Sequence, residues 1–338
     1  MGSTGPAEAI YIRDDVGVAT YNALASLPQY GAAVYFADRT VAGGGIESRT
    51  CSGVLVSPTS ILTAAHCAGG WTASTVAFGF DANIPTTLPA SNVASILIDP
   101  LYTNGNDFAH DLALVRLTTP VANVTPAVIW TGDPTSSTVT FVGYGRQDTG
   151  DLARELCPTV NDPAAICPAR NLLPGANNRL AARNTLDAFE PVSGLWMADF
   201  DTAHTVTTAP FPSNWRTPAQ LNSLGAATPL AAEGSLCGGD SGGPLFADIG
   251  GRAMLIGTNE AIGSPIAATP NCGYGTVSFW VPLNTSSTIA FLTGADPSIQ
   301  FAVPEPGGLL AAMAGLSGLI WARRRPRPAL AAAGTVRT

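Results

Sequence analysis

The chain has 338 residues, 46% hydrophobic and only 12% charged, with 36 Gly and 27 Pro. Few charges and many turn-forming residues exclude a disordered chain or a long helical bundle, and point to a β-rich globular protein large enough to bury a substantial core. The formal net charge is −8, and five basic residues crowd into the stretch after Ala322, so the rest of the chain is more acidic still. That excludes the basic face on which nucleic-acid binding depends.

In chain order, residues 1–28 are of mixed character, with a short helix expected over "ATYNALASL" (19–27). From residue 29 onward, short apolar runs alternate with turn residues. Strands are expected at "TVAFGF", "VASILI", "LALVRL", "STVTFVGYG", "AMLIGT" and "TVSFWVPL". No strand–helix alternation suggests a parallel sheet, so the fold class is an all-β sandwich or barrel. Residues 146–235 are Pro/Asn/Ala-rich and weakly periodic, and read as long surface loops with a few strands. A closing helix is expected at "STIAFLTG" (287–294), followed by a linker over 297–303.

The C-terminus is a separate module. "VPEP" precedes the apolar run "GGLLAAMAGLSGLIWA" (307–322) and the basic cluster "RRRPRP". The run is at the short edge of what spans a bilayer, and arginines at one end act as a cytoplasmic stop. The expected organisation is therefore an N-terminal segment 1–28, a main domain 29–296, a linker 297–303, an apolar signal 304–328 and a tail 329–338.

Six cysteines are compatible with three disulfides in any of fifteen pairings, and disulfides persist in oxidising compartments. "MGSTGPAEAIYIRDD" shows neither a basic leader nor an apolar run, so with export expected, the start is expected to be truncated or misplaced.

The densest chemistry lies in "CGGDSGGP", Cys237 to Pro244. Its "GDSGG" fits G-x-S-x-G, but the α/β-hydrolase elbow needs its histidine after the serine. His66, His110 and His204 all precede Ser241, which excludes that fold. A serine hydroxyl still needs an imidazole to take its proton and a carboxylate to orient that imidazole. On residue type alone, any of the three histidines is open to that role.

Together, "LTAAHC", "HDLALVRL" and "CGGDSGGP" resemble the active-site segments of the chymotrypsin-like (trypsin-fold) serine proteases, in the order His, Asp, Ser. "FVGYG" (141–145) is similar to the strand entering that family's second barrel. The resemblance implies two antiparallel six-stranded β-barrels with the site between them. It implies His66 as general base, Asp111 as its orienting acid, Ser241 as nucleophile, and the N–H groups of Gly239 and Ser241 as oxyanion hole. It further implies disulfides Cys51–Cys67 and Cys237–Cys272, leaving Cys157–Cys167. His110 is then structural, no metal or organic cofactor is expected, and the substrates are proteins or peptides cleaved by a monomer.

Two features depart from that family. Its activated members begin at an Ile-Val-Gly-Gly-like terminus whose amine pairs with the acid before the nucleophile, here Asp240. The nearest counterpart in this chain is "AIYIRDD" (9–15). "GTNEAIG" (257–263) stands where the family carries a Ser-Trp-Gly substrate-binding strand, so Glu260 and Ala261 replace the usual residues. The specificity pocket is expected to have Ser235 at its base and Gly275 in its wall, which suits an uncharged substrate side chain.

The C-terminal module resembles the PEP-CTERM sorting signal of exported bacterial proteins. That implies an exosortase-like partner, an inner-membrane stage through residues 307–322, and a surface or matrix destination. A permanent membrane anchor is the alternative to processing, and a non-catalytic surface binder on a protease scaffold is the alternative function.

Overall fold

Short Val-, Ile- and Phe-rich runs bounded by glycine and proline become strands, several of them buried on both faces, as a β-rich core requires. The computed structural model describes residues 10–38, 51–85, 89–103, 107–135, 137–145, 147–150, 178–204, 221–222, 224–225, 228–263 and 272–304. The expected Cys157–Cys167 pair, the apolar run 307–322 and the tail 329–338 lie outside those residues. The chain divides into two units, Met1–Ala302 and Val303–Thr338.

The first part runs β1 (Tyr11–Ile12), α1 (Val18–Ala25), β2 (Ala33–Asp38), β3 (Cys51–Ser57), β4 (Ser60–Thr63), α2 (Ala65–Ala68), β5 (Val76–Gly79), β6 (Val93–Ile98) and β7 (Ala113–Leu117). There follow β8 (Ile129–Trp130), β9 (Thr138–Gly143), β10 (Asp148–Thr149), β11 (Leu180–Thr185), β12 (Ala188–Glu190), β13 (Leu195–Asp199) and β14 (Gly234–Ser235). The last elements are β15 (Pro244–Ile249), β16 (Arg252–Gly263), β17 (Val277–Pro282), α3 (Ser286–Ala295) and β18 (Phe301–Ala302).

The first sheet is six-stranded and antiparallel throughout, in the order β5-β2-β3-β4-β7-β6. The register of β4 on β7 pairs Thr63 with Ala113. It therefore brings the residues just after β4 beside the residues just before β7. The second sheet follows the path β11-β9-β15-β16-β17-β13-β12, with β8 and β18 attached beside β16. β3 packs on β9 and β15, so the two sheets share one core.

The all-β class holds, and among the described residues the strands pair as a six-stranded and a nine-stranded sheet rather than as two closed six-stranded barrels. The second sheet has nine strands and is mixed, because β8 runs parallel to both β16 and β18. Among the described residues, the first sheet's pairings run from β5 to β6 without closing into a ring. The stretch expected as a linker contributes β18, and its Ser298 hydroxyl donates to Asp296. Asp296 also accepts from the hydroxyls of Ser57 and Ser60, both at 2.6 Å, and meets Arg116 at 3.1 Å. Burial opposes its ionisation, but the hydroxyls of Ser298, Ser57 and Ser60 hold this carboxyl far below the usual carboxylate range. Part of the stretch expected as surface loops is core: Leu180, Ala181, Ala182 and Ala198 are fully buried on β11 and β13. Weak periodicity concealed them because strands buried on both faces do not alternate.

The N-terminal segment is anchored inside the fold. Ile10, Tyr11 and Ile12 are buried, and β1 pairs antiparallel with β14, just before the glycine-rich serine loop. The closing helix α3 spans the expected region, capped by Thr285, whose side chain accepts from the Thr288 N–H at 3.2 Å.

Candidate active site

His66 sits in α2, the single helical turn that follows β4, and Asp111 ends the 3₁₀ turn Phe108–His110 that leads into β7. The Thr63–Ala113 register closes the distance between them. Asp111 is buried and grips His66 twice. Its Oδ1 accepts from the His66 backbone N–H at 2.7 Å, and its Oδ2 bonds Nδ1 of the ring. This second bond fixes the tautomer, with Nε2 as the ring nitrogen able to accept a proton. Burial pulls the imidazole pKa down, but the hydrogen bond and charge of Asp111, helped by Glu260, outweigh it and raise it above its ordinary value.

Ser241 arrives from the second sheet. The loop Cys237–Gly243 precedes β15 and is held by a lattice of backbone bonds. Asp240 N–H donates to Cys237 O, Gly243 N–H to Asp240 O at 2.9 Å, and Gly242 N–H to Asn259 O at 2.7 Å. Gly239 and Gly242 have φ of +99° and +79°, a left-handed geometry that glycine adopts without strain. A side chain at Gly242 would collide with Thr63 Oγ1 and with Ser52 O.

The loop is fastened to the first sheet at the site itself. Ser52 on β3 donates its backbone N–H to Ser241 O at 2.8 Å and its hydroxyl to Gly239 O at 3.1 Å. Cys67, next to His66, is bonded to Cys51, and its Sγ lies 3.8 Å from Ser241 O. The serine loop and the histidine turn are thus joined through one strand and one disulfide. The second disulfide, Cys237–Cys272, holds the start of the serine loop.

Asn259 and Ser52 were invisible as site residues in the sequence. Buried Asn259 donates its side-chain amide to Val142 O and Asp240 O, at 3.2 and 3.0 Å, and accepts from Trp280 Nε1 at 3.0 Å. A lone Asn in "GTNEAIG" carries no such signal, because its partners come from three distant strands and loops.

Asp240 is fully buried. Its Oδ2 accepts from Cys237 N–H at 3.0 Å, while Oδ1 has no hydrogen bond among the described residues. Burial drives its pKa well up, against opposing backbone hydrogen bonds from Cys237 and Gly145. Ser235 is also fully buried, with its hydroxyl donating to Cys272 O. Gly275 packs on Leu221. A cavity of about 350 Å³ beside Ser241 is lined by Leu236, Gly238, Asp240, Asn259, Glu260 and Ile262 among others.

The other two histidines are placed elsewhere. His110 Nδ1 meets Asp99 at 3.1 Å, and His204 Nε2 meets Asp14 at 2.9 Å.

Residues 28–166 match the family model described as Trypsin. The match likens this part of the chain, less than half of its length, to the trypsin family. The match includes His66 and Asp111 and ends before Ser241. Among solved structures the chain is similar to a scabies mite inactivated protease paralogue, S-I1, at 17% identity and a TM-score of 0.48, covering 79% of this chain and 95% of that one. It is similar also to neuropsin, a serine protease expressed in the limbic system of mouse brain, at 19% identity and a TM-score of 0.48, covering 80% and 97%. No curated protein matches. The matched residues include the imidazole and its carboxylate; the serine loop lies beyond them.

Proposed function

We propose that this chain is a serine endopeptidase. The observation that carries the reading is the His66–Asp111 pair held beside the serine loop by Ser52 and the Cys51–Cys67 disulfide.

On this reading Ser241 Oγ attacks the scissile carbonyl carbon while His66 Nε2 takes the hydroxyl proton. The carbonyl oxygen becomes an oxyanion, stabilised by the N–H groups of Gly239 and Ser241. Neither donates to another group among the described residues. Collapse of the tetrahedral adduct breaks the C–N bond, and His66 returns its proton to the leaving amine. Water then repeats the sequence on the acyl-enzyme, with His66 as base, and restores Ser241. Asp111 keeps the imidazole in the right tautomer and stabilises its cation. Each oxyanion donor is worth about 10²–10³ in rate.

The two sheets are then the halves of a trypsin-like pair of barrels. Ser235 and Gly275 belong to a pocket for an uncharged side chain, and Asp240 is the acid whose pairing orders the oxyanion hole. Export is supported by the disulfides. The "VPEP"-to-"RRRPRP" segment acts as a sorting signal for an exosortase-like enzyme, with N-terminal sequencing and intact mass of the exported protein as its check.

A fluorophosphonate probe tests the chemistry. It should label the disulfide-bonded protein, the label should vanish in Ser241→Ala, and a peptide library should be cleaved after uncharged residues. Absence of both labelling and cleavage overturns the reading in favour of a non-catalytic binder.

A further inference from the structure

Glu260 is aimed at the site by a defect in its own strand. The β16–β17 register shifts between Asn259 and Ala261, leaving Glu260 as the extra residue of a bulge. Bulges re-aim side chains. The Glu260 side chain is only 9% exposed. One of its carboxyl oxygens lies within 4.8 Å of both a ring nitrogen of His66 and a carboxyl oxygen of Asp111. As a carboxylate its Oε2 has no hydrogen-bond partner among the described residues. With a proton on that carboxyl, the Asp111 carboxylate becomes the acceptor within reach, which removes the orphan.

We infer that Glu260 is a positioning residue of this site: protonated, it donates a hydrogen bond to Asp111, and ionised, it puts a second negative charge beside His66. The inference rests on the peptidase reading for its consequence in catalysis, but the proton linkage stands on the geometry alone. Two carboxyl groups this close, in a buried place, do not both ionise freely. Burial first, then the Asp111 charge, push the Glu260 pKa up to about 7, with His66 pulling the other way. The groups that face it are Asp111 before β7, His66 on α2, Tyr102 after β6 and Asp240 across the shared cavity. Burial, then Asp111 and Glu260, raise the pKa of Tyr102.

The protons on Glu260 and His66 are therefore coupled. Loss of the Glu260 proton strengthens the imidazolium, which must itself deprotonate before it can act as a base.

The test is an NMR titration of the His66 ring in wild type, Glu260→Gln and Glu260→Ala, with pH profiles of kcat/KM beside it. Glu260→Gln keeps an N–H donor for Asp111 and removes the charge. It should lower the His66 pKa by about half a pH unit or more and move the acid limb of the profile the same way. Glu260→Ala should show the same shift but lose roughly tenfold in kcat at unchanged KM, because Asp111 loses its donor, and Gln should restore that loss. An unchanged His66 titration overturns the inference. So does a Glu260→Gln effect confined to KM for substrates with a basic side chain, which would assign Glu260 to substrate recognition. If the variants fail to fold, carboxyl carbon titration of the wild type decides: Glu260 should titrate near neutrality, and an ordinary value rejects the linkage. If the protein does not react with fluorophosphonate, the peptidase reading fails while the NMR result still judges Glu260.

Discussion

Each of the three histidines is paired with an aspartate: His66 with Asp111, His110 with Asp99, and His204 with Asp14. Residue type and hydrogen bonding therefore do not single out a catalytic base. On the proposed peptidase reading position does, because of the three only His66 shares a disulfide-linked turn with the strand that holds Ser241. Its raised pKa has a kinetic consequence with a definite sign. As the proposed general base His66 works only when neutral, so activity is expected to fall as pH falls through its pKa. The acid limb of kcat/KM is expected above the ordinary imidazole value of about 6.5. An acid limb at or below that value contradicts the arrangement.

At the scale of elements, the site depends on how β16 and the serine loop are sewn together. Asn259 accepts one bond and donates two, all buried, and they reach Trp280, Val142 and Asp240. Asn259→Ala would leave Trp280 Nε1 unsatisfied in the core and take a donor from each of Val142 O and Asp240 O. A loss of about 3 kcal/mol is expected, measured as a lower urea midpoint at unchanged m. Activity should fall further than stability alone explains, since the same amide supports Asp240 O next to Ser241. Most of these elements were legible in the sequence. "VASILI" became β6 over its full length, and "STIAFLTG" became α3 with one more residue at each end, because propensity, capping and turn residues agree there. β11 and β13 were not legible as core, since strands buried on both faces show no alternation, and the bulge at Glu260 has no signature in "GTNEAIG" at all.

At the scale of the whole molecule, a cluster of buried acids links stability to pH. Asp187 comes from the turn between β11 and β12, Asp199 ends β13, Asp201 follows it, and Glu233 precedes β14. The Asp201 N–H donates to Glu233 Oε1 at 2.7 Å, and the Asp199 N–H to Asp187 Oδ2 at 3.3 Å. Burial, with mutual repulsion, pushes Asp187 up to about 6, Glu233 up to about 7 and Asp201 up to about 9. The native state therefore holds protons that the unfolded chain has already released. The stability this gives is fully present below about pH 4 and is lost as pH rises through the raised values. The Tm is expected to fall by about 5–10 °C between pH 5 and pH 9 at constant ionic strength. Asp201→Asn should flatten the alkaline part of that fall; a pH-independent Tm would contradict it.

The sequence by itself determined the local chemistry: the strands, the glycine-rich serine loop, the turn carrying His66, and through histidine order the exclusion of an elbow hydrolase. Short-range sterics and turn geometry act over a few residues, so those features are written in the neighbours of each position. Only the tertiary structure decided which aspartate holds which histidine. His110 adjoins Asp111 in sequence but bonds Asp99, and His66 reaches Asp111 across 45 positions. The reason is register: pairing Thr63 with Ala113 is a property of two strands meeting, and a bulge on a third strand turned Glu260 toward the same point.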